Sequence, residues 1–254
     1  MKVLVTFALQ NEFAPWRKLR AFRQIDFGPH PVFEGCVNSA DVRVLLTGVG
    51  CRGANRARNK AFEWEPDVCI SSGFAGGLRP EYKRGMVLAA TKVIDDIART
   101  DTYESDAFLL ECAGKKGARR VGAFYTSEVL ATTAQEKRRW ATVADAVDME
   151  SSKIMGDADT LLIPAVAIRA ISDTSEEDLP LDFGSALDGD GKIMNSRIAW
   201  VVLKAPRHFP RIVRLAKTSR RVAEVLVQFL DELIESWSVL PNDKGHVLST
   251  AVGP

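Results

Sequence analysis

Apolar and polar positions along the chain alternate in two different rhythms. Residues 2–8 form a short apolar run that predicts a buried strand, and residues 12–22 mix polar and apolar positions at helical spacing. Pro15 falls near the start of that helix, where a missing N–H is tolerated. Residues 32–37 and 42–46 predict two strands joined by a turn near Asn38. A glycine-rich turn, Thr47 to Gly53, leads into a helical stretch at 54–64 that Pro66 ends. Residues 68–72 predict the next strand, which runs into a second glycine-rich turn at 71–78. Further strands are expected at 86–93, 119–125, 146–148 and 161–171, with a helix from Met149. An acidic loop follows at 176–182, a helical pattern covers 192–237, and 238–254 reads as a frayed tail.

Strands that alternate with helices and end in glycine turns predict an α/β sandwich. A chain of 254 residues can bury a sizeable core as one unit, and the expected domain is 1–237, with extra C-terminal helices at about 191–237. A formal net charge of +1 points to no polyanionic partner for the whole chain, so no nucleic acid is expected. The four cysteines form no CxxC pair and suggest neither a disulfide framework nor a zinc site; Cys69, in an apolar run, predicts a small buried hydrophobe. The three histidines are scattered, which argues against a metal cluster or a Ser-His-Asp triad. The apolar opening is too short for a signal peptide, and no run approaches the ~18 residues of a membrane span, so the expected location is the cytoplasm.

In open α/β sheets ligands bind outside the carboxyl ends of strands. Polar groups at such places are Glu12, the Gly73–Gly77 turn, Glu150 and Asp173. Three carboxyls far apart in sequence match what cleavage of a glycosidic bond needs: an acid for the leaving group, a base for water, and an acceptor for sugar hydroxyls. Each also has a plainer use. Glu12 suits the first turn of a helix, Asp173 a turn or cap, and Glu150 a pair with Lys153.

Five segments carry a resemblance to the nucleoside phosphorylase and methylthioadenosine/S-adenosylhomocysteine nucleosidase family over about residues 1–182. LVTFALQNEF is similar to the opening strand of the nucleosidases, and LLTGVGCRGANRA to an early glycine turn. ISSGFAGGL resembles a TGSAGGL-type turn, VDMESS a VEMEA-type ribose segment, and IRAISDTSEED the segment ending in Ser-Asp. The resemblance implies a three-layer α/β/α sandwich with a mixed, partly barrel-like central sheet. It implies that Asp173 protonates the purine N7 and that Glu12 activates water. Met149 would pack against the ribose, Glu150 would accept its hydroxyls, and Val129 and Leu130 would stack on the base. Ser72, Gly73, Phe74, Gly76 and Gly77, with Arg52, would form the nucleophile or anion turn. It implies no metal and no organic cofactor, and a homo-oligomer of two or more copies.

Departures from the family pattern bear on the nucleophile. An arginine that precedes the glycine turn in hexameric phosphorylases is replaced by Ser71, and no GxPxR-type segment is present, so water is favoured over phosphate. The alternative is phosphorolysis with inorganic phosphate as co-substrate, clamped by Arg52, Arg79 or Arg84. Phe74 stands where both patterns carry serine, and Thr126–Leu130 replaces an aromatic-bearing base segment, which keeps open a non-catalytic nucleoside-binding protein. The C-terminal part, with LPLDF and seven basic residues from Lys204 to Arg221, is similar to the hopanoid-associated branch. That similarity implies an adenosylated lipid as a possible substrate and a weak membrane-surface contact; the plainer reading is a solvated amphipathic face.

Overall fold

The computed structural model describes residues 1–96, 101–179 and 209–237, with side chains from 216 in the last of these. In chain order the elements are β1 (Lys2–Phe7), α1 (Gln10–Arg20), β2 (Arg23–Asp26), β3 (Val32–Val37), β4 (Ala40–Leu46), a 3-10 turn (Val49–Cys51), α2 (Asn55–Phe62) and β5 (Val68–Ser71). They continue with β6 (Phe74–Gly77), β7 (Val87–Asp95), β8 (Thr102–Glu104), α3 (Ala107–Lys115), β9 (Arg119–Thr126) and α4 (Ala134–Trp140). The remainder is β10 (Ala146–Asp148), α5 (Ser151–Thr160), β11 (Ala165–Asp173) and α6 (Phe209–Trp237).

Alternation along β1 sets the layers. Val3, Val5 and Phe7 join one core cluster, with Phe13 and Trp16 of α1, Leu110 of α3 and Leu230 of α6. Leu4 points to the opposite cluster, with Phe62 of α2 and Ile154 and Met155 of α5. A strand with apolar residues on both faces needs cover on both sides, and the helices supply it. The strands follow the order β2-β3-β4-β1-β5-β11-β6-β10-β9-β7-β8, and an added β11–β7 pairing closes β11, β6, β10, β9 and β7 on themselves. The expected three-layer sandwich with a mixed, partly barrel-like sheet is therefore what the chain forms.

Boundaries differ from the sequence reading in several places. The strand expected at 161–171 starts at Ala165, because Leu161 caps α5, Leu162 takes a left-handed φ of 55°, and Pro164 follows. Half of the second glycine turn is strand β6, which pairs in parallel with β11 and antiparallel with β10. Helices α3 and α4 and strands β2 and β8 are too short to leave an apolar period in the sequence. Residues 192–208, the tail 238–254, and Lys204 and Arg207 of the basic stretch lie outside the described residues.

Candidate active site

One pocket gathers residues from seven separate stretches of chain. Ala8, Leu9 and Glu12 come from the end of β1 and the start of α1, and Val49 from the 3-10 turn. Phe74–Gly76 come from β6, Val147–Glu150 from β10 and the α5 start, and Ser172 and Asp173 from the end of β11. Val129, Leu130, Ala131 and Leu179 complete the wall. The three carboxyls predicted from sequence thus meet at one site.

Glu12 is 3% exposed. It sits at the third position of α1 and accepts the Leu9 N–H at 2.9 Å, the acidic half of a capping box. Its other oxygen accepts the Phe74 N–H at 3.0 Å. The plainer use as a helix-start carboxylate is therefore real, and it fixes the group at the pocket. Burial pushes the Glu12 carboxyl up, against backbone donors and the Arg169 charge that pull it down.

Glu150 opens α5. Its Oε1 accepts the Gly50 N–H at 2.8 Å, and its Oε2 lies 4.0 Å from Arg169 Nη2. Lys153 bonds the Gly50 carbonyl at 2.8 Å instead of Glu150. Burial pushes the Glu150 carboxyl up to about 7, with Arg169 pulling down and Asp148 pushing up. Met149 is 7% exposed and lines the pocket beside it.

Asp173 ends β11 at a register shift against β6. Its Oδ1 accepts from Ser172 Oγ at 2.6 Å, and its Oδ2 is 2.5 Å from Lys137 Nζ. Gly76 faces it so closely that a Cβ there would lie 3.1 Å from Asp173 Oδ2. Gly73, at φ +139°, passes between Glu12 and Arg169, where a Cβ would meet Glu12 Oε1 at 3.4 Å and Arg169 Nη1 at 3.6 Å.

Other predicted residues divide. Phe74 lines the pocket, gives its N–H to Glu12 and packs its ring on the α1–α6 core. Ser72 and Gly73 in the turn and Gly77 at the end of β6 are buried but do not line the pocket. Leu130 lines it partly exposed, and Val129 lines it at 63% exposure. Arg52 is exposed beside Gly50 and does not line the pocket. Arg79 pairs with Asp145 at 2.9 Å; Arg84 bonds the Ser172 carbonyl at 2.7 Å and Glu177 at 2.6 Å. Neither Arg79 nor Arg84 lines the pocket, so the anion clamp expected of them is not formed by either.

Sequence reading missed the groups behind the site. Arg169 is fully buried, with Nε 2.9 Å from Asp148 Oδ2 and Nη2 3.2 Å from Ser71 Oγ. Asp148 in turn accepts the Glu150 and Ser151 N–H groups and the Thr126 hydroxyl. Lys137 is likewise fully buried. A charge four residues before Asp173 inside an apolar strand was the available signal for Arg169, since an uncompensated cation is rarely buried there. No comparable signal marks Lys137, which sits among charged neighbours on a short helix.

Among the described residues no group of three or more His, Cys, Asp and Glu is placed to hold a metal ion, and no helix is long and apolar enough to cross a membrane. The structure is similar to that of Campylobacter jejuni 5′-methylthioadenosine/S-adenosylhomocysteine nucleosidase, at TM-score 0.71 and 16% identity over 93% of this chain and 99% of that one. It is similar to Helicobacter pylori futalosine hydrolase, at TM-score 0.71 and 15% identity over 93% and 98%. The Neisseria meningitidis 5′-methylthioadenosine/S-adenosylhomocysteine nucleosidase, solved with methylthio-immucillin-A, matches at TM-score 0.70 and 21% identity over 92% and 99%. A family model described as the phosphorylase superfamily matches residues 2–194. With that match across most of its length and the carboxyl-lined pocket in place, the chain belongs to the phosphorylase superfamily of enzymes.

Proposed function

We propose that the protein cleaves the N-glycosidic bond of a purine nucleoside, adenine the favoured base, with water as the nucleophile. The observation that carries this reading is the convergence of Glu12, Glu150 and Asp173 on one apolar-walled pocket. As the bond from C1′ to N9 breaks, its electron pair goes to the purine, and the Asp173 carboxyl gives a proton to N7. Water adds to C1′ and its proton passes to Glu12, which burial makes more basic than an ordinary glutamate. Glu150 accepts the ribose hydroxyls, Met149 packs on the sugar, and Leu130 and Val129 flank the base.

Water is favoured because no arginine or lysine lines the pocket among the described residues. The alternative, phosphorolysis, keeps one support: Arg52, exposed beside Gly50, whose N–H bonds Glu150. Organisation of 1–237 as one domain, assembly into a homo-oligomer and a cytoplasmic location go with this reading. An adenosylated lipid substrate and a weak membrane contact rest on the basic stretch, of which Lys217, Arg220 and Arg221 are exposed on α6.

Adenine release from adenosine, methylthioadenosine, S-adenosylhomocysteine and an adenosyl compound with a large apolar 5′ group tests the proposal, with and without phosphate. Release of free sugar without phosphate is expected. Release only with phosphate makes the enzyme a phosphorylase, and no release from any member supports a binding role.

A further inference from the structure

Lys137 is a fully buried ammonium on a short helix, and none of the steps above uses it. Its three N–H bonds meet three acceptors: Asp173 Oδ2 at 2.5 Å, the Thr174 carbonyl at 2.7 Å and the Glu177 carbonyl at 2.9 Å. An ammonium has three donors and no acceptor, so this set is complete. The loop that supplies the carbonyls is laced to the start of α4. Leu179 N–H donates to the Thr132 carbonyl at 2.7 Å, and Ala134 N–H to Asp178 Oδ1 at 2.8 Å. α4 itself is set by a capping box in which Thr133 accepts the Glu136 N–H and Glu136 accepts the Thr133 N–H.

We propose that Lys137 is a positioning residue for the leaving-group acid, holding Asp173 by Oδ2 so that its transferable proton resides on Oδ1. The inference rests on Asp173 being that acid. Oδ2 faces an N–H donor, and a carboxylic proton there would oppose it. Oδ1 faces a hydroxyl that can turn its hydrogen to the Ala75 carbonyl at 3.3 Å, so Oδ1 is the oxygen free to carry the proton to the base. The carboxylate that remains is met by a cation already in place, which needs no reorganisation during the reaction. The other charged groups nearby are occupied. Arg84 and Glu177 bond each other, Glu136 caps α4, Asp178 caps Ala134, and Asp148 pairs with Arg169. Glu12 and Glu150 stand on other walls of the pocket.

Purine nucleosides need an acid at the base, whereas 4-nitrophenyl riboside has a leaving group that departs unprotonated. Comparing kcat on the two separates positioning of the acid from general damage. Lys137→Met should lose about 10²-fold in turnover of the purine nucleoside, and at least tenfold less on the nitrophenyl riboside. Asp173→Asn should show the same selective loss, and Lys137→Arg should recover part of what Lys137→Met loses. In Lys137→Met/Asp173→Asn, which removes both buried charges together and guards against misfolding of the single variant, the loss should equal that of Asp173→Asn alone. Equal loss on both substrates in Lys137→Met, or losses that multiply in the double variant, would overturn the Lys137 assignment while leaving Asp173 as the acid. An Asp173→Asn variant without selective loss, or a wild type that cleaves neither substrate, overturns the reading of Asp173 and this proposal with it.

Discussion

Glu150, the ribose acceptor in the proposed reaction, links that role to stability through its burial. Its carboxyl rises from 4.5 to about 7 because burial penalises the charge more than Arg169 relieves it. Between those pH values the folded protein holds a proton at Glu150 that the unfolded chain has lost. Stability therefore falls as pH rises through that window. Glu12, also raised by burial, adds in the same direction. Glu150→Gln should flatten this part of the curve of Tm against pH, and an unaltered slope would assign it to another group. The same substitution should raise KM for nucleosides, since an amide accepts fewer hydroxyl hydrogen bonds than a carboxylate. Asp173→Asn should reduce kcat by about 10²–10⁴ in single-turnover assays with little change in binding, the range for loss of a general acid. Wild-type turnover in that variant would remove Asp173 from the chemistry.

Strand β6 and helix α1 show why elements, not isolated residues, build the site. β6 has a glycine at 76 because Asp173 Oδ2, Val147 Cγ1 and Lys137 Cε would lie 3.1, 3.3 and 3.5 Å from any Cβ there. Gly76→Ala should push these groups apart by a few tenths of an ångström. We expect kcat to fall tenfold or more, as positioning errors of that kind cost rate steeply, with Tm lowered by only a few degrees. Wild-type kcat in Gly76→Ala would mean that the pair tolerates displacement. α1 presents Glu12 at its start and docks on α6 at its far end. There Asp231 accepts from Trp16 Nε1 at 2.8 Å and from Arg20 at 2.8 and 2.6 Å. Asp231→Ala leaves a buried indole N–H and a half-buried guanidinium without that carboxylate. It should destabilise the fold by about 2–4 kcal/mol in denaturant unfolding. No measurable change would show that water or Glu235 replaces the lost acceptor.

At the scale of the whole molecule, strand order decides which distant residues become neighbours. β1, β4, β5 and β11 run parallel, so the segments after β1 and β4 and the end of β11 reach one edge. The added β11–β7 pairing closes the barrel that brings β10, with Asp148, Met149 and Glu150, to the same rim. Apolar periodicity and glycine turns were enough to predict an α/β sandwich, because long buried strands leave a strong local pattern, as β1 does. Resemblance of short motifs to the family marked Glu12, Glu150 and Asp173, since each motif is a local stretch that needs no knowledge of the fold. Several features were not legible in this way. The β6 strand hides in a glycine run, α4 is too short and too charged to show a period, and the Lys137–Asp173 and Arg169–Asp148 pairs join residues 36 and 21 positions apart. Local sequence thus determined the long buried strands and the carboxyls that follow them, because those depend on nearest neighbours along the chain. Tertiary structure alone decided which cation meets which carboxylate and which arginines stay out of the pocket, because burial and charge pairing depend on what the fold packs from far along the chain.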